Sequence, residues 1–180
     1  ATHRTHEALK KLGSSEYLKI GDLDRTLHIW RGEKLKKGIP LSKITMEHCK
    51  AIGVKAHVTP MSDDMVETVI QTTTGNMDLH EFWVKNKGTP DVKAIWFKGL
   101  EKAGACREAV EAVERADRVI IGPSNPVTSI HTIISLKGIK QSLKKNKEKV
   151  LAVSPIVRGS AFSGPAEKLM HAFGIPVSAA

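Results

Sequence analysis

Two short apolar runs constrain the fold most tightly: RVIIG (118–122) and KVLAVSP (149–155). Each is rich in aliphatic residues, and each runs directly into turn-forming residues, Pro-Ser-Asn-Pro after the first and Ser-Pro within the second. A short continuous apolar run bounded by turn residues reads as a strand buried on both faces. About 25 residues of largely helical character separate the two, enough for the right-handed crossover that joins parallel strands. Before them, ACREAVEAVERAD (105–117) predicts a helix with Ala109, Val110, Val113 and Ala116 on one face. Residues 127–146 read as mainly helical, interrupted at Lys137-Gly138, and Pro165 opens a last helix that ends near Gly174.

The earlier part of the chain has another character. Residues 5–12 predict a short helix. Asp22 or Asp24 caps a second, in which Leu23, Leu27, Trp30 and Leu35 recur at near-helical spacing up to Gly38. Ser42 opens a third, closed by Gly53. The pattern then turns to β. VKAHVTP (54–60) reads as a strand stopped by Pro60. Segments 65–74 and 78–86 read as a hairpin around Gly75-Asn76-Met77, and DVKAIWFKG (91–99) as a further strand. Phe82, Trp83, Trp96 and Phe97 fall in this region; core packing is the favoured reading, a ligand-facing wall the alternative. The expected architecture is a single α/β domain, Rossmann-like and doubly wound, with a mainly parallel sheet, a β-hairpin and a helical insertion. Its parts are helical (1–53), β-rich (54–99) and nucleotide-binding βαβ (100–180).

A chain of 180 residues is long enough to bury a core without metal or disulfide staples. Cys49 and Cys106 are single and distant in sequence, which suggests free thiols and a reducing, cytoplasmic setting. The apolar runs fall well short of the roughly 20 residues a membrane helix needs, so no membrane partner is expected. The net charge of +9 admits nucleic acid, but Lys137 to Lys149 place their cations along the solvent side of one helix without interleaved aromatics. Attraction of a small anion is the better use, and no nucleic-acid partner is expected.

In an open parallel sheet, ligands bind beyond the carboxyl ends of the strands. Two polar loops occupy those positions. In the first, Gly122 permits close backbone approach, Ser124, Thr128 and Ser129 carry hydroxyls, and Asn125 carries an amide; the helix after Pro126 is expected to offer free N–H groups to an anion. The second runs from Ser154 through Arg158 and Gly159 to Ser163 and Lys168, with Arg158 and Lys168 as phosphate-facing cations. Ordinary turn chemistry explains either loop alone; two at one sheet edge point to a nucleotide or diphosphate site. Neither is a GxxxxGK[ST] or GxGxxG motif. Lys19-Ile20-Gly21-Asp22 and Met61-Ser62-Asp63-Asp64 place acids at element ends, where they cap turns or bind a polyhydroxylated ligand or Mg²⁺.

IGPSNPVTSI (121–130), Gly138-Ile139 and VLAVSPIVRGSAFSGPAEKLM (150–170) together resemble the 2-phospho-L-lactate transferase family. LKIGDLDRTLHIWRGEKLKKG (18–38), PMSDD (60–64) and FWV (82–84) match it in the same order. The resemblance implies transfer of 2-phospholactate from lactyl-diphospho-guanosine to a deazaflavin riboside, with release of GMP, in synthesis of the deazaflavin coenzyme F-420. It implies Mg²⁺ as cofactor, a homodimer, and small-molecule substrates, namely the guanylated donor and the deazaflavin acceptor. Lys19, Asp22 and Asp63 fall to the deazaflavin. Gly122, Ser124, Asn125, Thr128, Ser129, Ser154, Arg158, Gly159 and Lys168 fall to the guanosine diphosphate. No metal ligand and no catalytic residue is assigned. The family's opening strand with its GGTG-type turn and its Pro-Asp-Leu-Asp segment have no match here, so the chain reads as a fragment that lacks one wall of the site. The related gluconeogenesis-factor proteins, which bind uridine-diphosphate sugars without catalysis, carry GPGSLYTSI at the first loop; a regulator of that kind is the alternative.

Overall fold

The structure, a computed structural model, describes residues 2–162 and 164–178. Ser163 of the second loop lies outside them. The chain divides into two compact units, Ala1–Val58 and Thr59–Ala180.

The first unit is helical: α1 (Arg4–Lys11), α2 (Asp22–Lys36) and α3 (Leu41–Ala51). A polar network joins α1 to α2. The Asp22 carboxylate accepts from the Arg4 and Thr5 N–H groups at 3.1 and 3.0 Å and from the Thr5 hydroxyl, capping α1 from a distant element. The Arg25 guanidinium meets both Glu16 oxygens at 2.8 Å, and Glu16 also lies 2.6 Å from Nδ1 of the buried His6. In the segment that follows α3, the strand expected over 54–60 does not form. Val54 and Val58 stay substantially exposed, since a strand without a neighbour leaves its ladder unpaired.

The second unit holds the strands. β1 (Glu67–Thr72) lies between β2 (Gly75–Asp78) and β3 (Val92–Lys98), all antiparallel, with Ile70 opposite Ile95. The hairpin is tighter than its glycine suggests. Thr73-Thr74 makes the turn and Gly75–Met77 belongs to β2, because the Thr72 hydroxyl accepts from Thr74 N–H and donates to the Gly75 carbonyl. Beyond Asp78, DLHEFWVKN does not continue as a strand. The Asp78 carboxylate accepts from Glu81 N–H at 2.8 Å and starts a π-helical turn, Glu81–Lys85, which drives Phe82 fully into the core.

The α/β part follows: α4 (Arg107–Arg115), β4 (Val119–Ile121), a π-helical turn Pro126–His131 running into α5 (Thr132–Ile134), α6 (Lys137–Lys145) and β5 (Val150–Ala152). β4 and β5 pair in parallel, Val119 with Val150, as the crossover length requires. The expected helix break falls at Ser135-Leu136, and α6 begins at Lys137. Gly138 is needed in α6, since a Cβ there would stand 2.9 Å from Val110 Cγ2 on α4. A hairpin, β6 (Ile156–Val157) and β7 (Ser160–Ala161), precedes α7 (Ala166–Ala172). The α/β class therefore holds, while among the described residues the parallel part is two strands wide and the other pairings are antiparallel. Burial on both faces is not reached: Ile120 and Leu151 are 68% and 59% exposed.

One core gathers Ile70, Phe82, Ile95, Val127, Ile156 and Leu169, thus joining the antiparallel sheet, the first polar loop and α7. A second, around Leu136 and Ile139, packs α6 against Ala109 and Val110 of α4.

Candidate functional site

The two polar loops meet. Pro123, Ser124, Asn125, Thr128 and Ser129 from the end of β4 face Val153, Ser154 and Pro155 from the end of β5 across a cleft of about 580 Å³. Gly164, Pro165 and Ala166 line its floor at the start of α7, and Leu79, Trp83 and Phe162 supply apolar wall. This is the strand-end crevice of a parallel pair, within the usual size range of ligand pockets. A larger, more open groove of about 920 Å³ runs along β3 and the start of α6. That groove carries Glu101, Lys102, Lys137 and Gln141, whereas the smaller cleft collects hydroxyls at the carboxyl ends of the two parallel strands, and this position favours the smaller one.

Local bonding decides which groups are available. Asn125 Oδ1 accepts from the N–H groups of Val127 and Thr128 at 3.0 and 3.1 Å, and the Asn125 carbonyl accepts from Ser129 and Ile130. The N–H groups expected to be free for an anion are thus turned onto Asn125, whose cap holds the loop rigid. The Ser154 hydroxyl accepts from Ile156 N–H at 3.1 Å. The side-chain hydroxyls of Ser124, Thr128 and Ser129 make no bond within the described residues, and all three border the cleft. Val127 beneath them is fully buried, so the helical turn that presents the hydroxyls is anchored in the core.

The other sequence candidates are distributed. Gly122 lines an apolar cavity of about 330 Å³ between β4 and the helices instead of the cleft. Arg158 and Gly159 form the two-residue turn between β6 and β7, with φ of 54° and 79°. Two left-handed residues make the turn type that suits a tight hairpin, and it puts the Arg158 side chain on the surface just past Val157, which lines the cleft. Lys168 has its own partners: Nζ donates to the carbonyls of Gly88, Thr89 and Pro90 at 2.9, 3.1 and 3.2 Å. Asp63 borders the buried Cys106 thiol, which burial, then the Asp63 charge, pushes up to about 11. Asp64 accepts from Gly104 N–H at 2.8 Å. In the first unit Lys19 is exposed, and the Thr5 hydroxyl and N–H hold the Asp22 carboxyl well below the usual carboxylate range. Among the described residues no group of three or more His, Cys, Asp or Glu is placed to hold a metal ion.

The adjacent aromatics Phe82 and Trp83 divide between the two places considered for them, the core and the cleft wall. Phe82 and Trp83 are adjacent, yet Phe82 is fully buried and Trp83 is 43% exposed at the cleft. Adjacent residues point to opposite sides of a strand and to different sides of a helical turn, so either conformation separates the two; the π-helical turn is the one that forms. His131 carries no signal in the sequence: its ring stacks on Phe97 at 5.4 Å and meets the edge of Phe173 at 4.7 Å.

No helix among the described residues is long and apolar enough to cross a membrane. A crystal structure of a UPF0052-family protein from Bacillus halodurans is similar over 63% of this chain and 36% of its own, with a TM-score of 0.49 and 22% identity. The 2-phospho-L-lactate transferase of Methanocaldococcus jannaschii is 50% identical over 181 residues, covering 98% of this chain and 58% of its own length. That of Methanococcoides burtonii is 46% identical over 177 residues, covering 98% and 57%. The chain therefore spans somewhat more than half the length of these relatives. The family model for 2-phospho-L-lactate transferase CofD matches residues 1–179. With two strand-end loops converging on one cleft and this match along nearly its whole length, the chain belongs to the 2-phospho-L-lactate transferase CofD family.

Proposed function

We propose that the cleft between the β4 and β5 loops receives the guanosine diphosphate part of lactyl-diphospho-guanosine, and that the protein this chain represents transfers 2-phospholactate from it to a deazaflavin riboside. The observation that carries this reading is the convergence of Ser124, Thr128 and Ser129 on one cleft with hydroxyls unused by the described residues. Hydroxyl donors on a rigid turn suit the oxygens of a diphosphate, and the Trp83 face suits a planar base.

In the reaction, the terminal hydroxyl of the ribityl chain attacks the phosphorus that bears the lactyl group. A new O–P bond forms, the bridging P–O bond to the guanylate breaks, and GMP leaves as the hydroxyl proton is lost. Phosphoryl transfer of this kind needs alignment and charge neutralisation more than covalent help from the protein. The Asn125 cap keeps the hydroxyl-bearing turn in one conformation before the donor arrives, and Arg158 supplies a positive charge beside the opening. These roles of Ser124, Thr128, Ser129 and Arg158 follow from supply and position.

Calorimetric titration with GDP and UDP tests the proposal. GDP is expected to bind and UDP to bind at least about tenfold more weakly, with Ser124→Ala plus Thr128→Val weakening GDP by roughly tenfold. A preference for UDP, the mark of a nucleotide-sugar regulator, or no GDP binding overturns it.

A further inference from the structure

We propose that Lys168 is a positioning residue: it clamps the carbonyls of Gly88, Thr89 and Pro90 and thereby fixes the Trp83 ring as a wall of the cleft. The proposal rests on reading that cleft as the nucleotide site. An ammonium group has three N–H donors, and three consecutive carbonyls lie 2.9, 3.1 and 3.2 Å from Lys168 Nζ, with Asp91 Oδ1 at 3.8 Å. The donors are thus satisfied by the protein, and the carbonyls, whose dipoles repel one another when they converge, are held together by the cation.

The clamped loop backs the indole. After the π-helical turn the chain reverses through Lys87 and Gly88, both left-handed at φ 53° and 65°, and Gly88 N–H donates to the Phe82 carbonyl at 2.8 Å. A Cβ on Gly88 would lie 3.0 Å from Trp83 Cε3 and Cζ3 and 3.7 Å from Pro165 Cβ. The indole is therefore supported by the Gly88 backbone, and Trp83 and Pro165 both border the cleft. Lys168 stands one helical turn beyond Pro165 on α7. Its clamp joins the floor of the cleft to the loop behind the aromatic wall, two parts about 80 residues apart in the chain. Releasing the carbonyls loosens the backing of Trp83, and adding a methyl at Gly88 pushes the ring from behind.

The test uses this chain with Trp30→Phe and Trp96→Phe, which leaves Trp83 as the single tryptophan. Without ligand, Lys168→Met and Gly88→Ala are each expected to change acrylamide quenching of Trp83 by about twofold, and each to weaken GDP by roughly tenfold through lost preorganisation. Lys168→Arg, which keeps the charge and the donors, restores most of both. Unaltered Trp83 quenching in Lys168→Met overturns the proposal, even if GDP affinity falls, since that pattern marks a direct phosphate ligand. Should Lys168→Met fail to fold, Gly88→Ala carries the test, and unaltered quenching there overturns it equally. Absence of GDP binding to the parent chain strikes the site reading alone, because the quenching measurement needs no nucleotide.

Discussion

At the scale of single residues, the candidate site is organised by bonds that side chains make to backbone. Asn125 illustrates this. Its residue type suits a ligand contact and a helix cap equally, and the structure uses its oxygen for the cap on Val127 and Thr128. Asn125→Ala is expected to lower stability by about 1 kcal/mol, and, by loosening the Ser124–Ser129 turn, to weaken GDP as well. Denaturant titration and calorimetry on the same variant check both; intact affinity with lost stability would show that the cap does not organise the site. Asp22 follows the same logic in the first unit. Its acid character and its place at the start of α2 were legible as a cap, but the helix it caps is α1, through Arg4 and Thr5. Only tertiary proximity decides between two helix ends equally short of acceptors.

At the scale of elements, the chain's patterns were readable where periodicity was sustained and failed where a few side-chain bonds outweighed it. β3, β4, β5, α4 and α7 stand close to their expected places. The 78–86 segment does not, because Asp78 caps a helical turn, and Phe82 reaches the core from that turn. β-rich composition is a weak guide when a single buried aromatic selects the conformation. A glycine marks the far end of the same sheet. Gly99 has φ of +89°, and a Cβ there would fall onto the Met65 carbonyl oxygen. Gly99→Ala is expected to destabilise the second unit by about 2 kcal/mol or more, from left-handed strain and displacement of the strand end together. Loss of less than about 0.5 kcal/mol in urea titration would show that the β3 turn adapts without cost.

At the scale of the whole molecule, the two units are expected to respond to acid over different ranges. His131 lies between Phe97 and Phe173, and burial, followed by the Lys140 charge, lowers its pKa. A lowered folded pKa means that the unfolded chain takes up this proton first as pH falls. The second unit is therefore most stable above the ordinary histidine value near about 6.5 and loses stability as pH falls through it. Asp22 and Glu16 are carboxylates lowered by their partners, chiefly Thr5 and Arg25 respectively. Their contribution to the first unit persists above the unfolded carboxylate range, near about pH 4, and is lost as pH falls further. Urea midpoints followed from about pH 8 to pH 5 should decline, and His131→Phe should flatten that limb while leaving the lower one; an unchanged slope in His131→Phe refutes the assignment. By itself the sequence determined the α/β class, the parallel β4–β5 pair with its crossover, and the polar character of both strand-end loops. These depend on local periodicity, on chain length between strands and on turn chemistry, all of which are written along the chain. Only the tertiary structure decided which loop groups remain open, that Trp83 and not Phe82 borders the cleft, and that Lys168 lies against three carbonyls. Those outcomes depend on competition for partners across about 80 residues of chain, and a hydrogen bond goes to whichever partner the fold brings within reach.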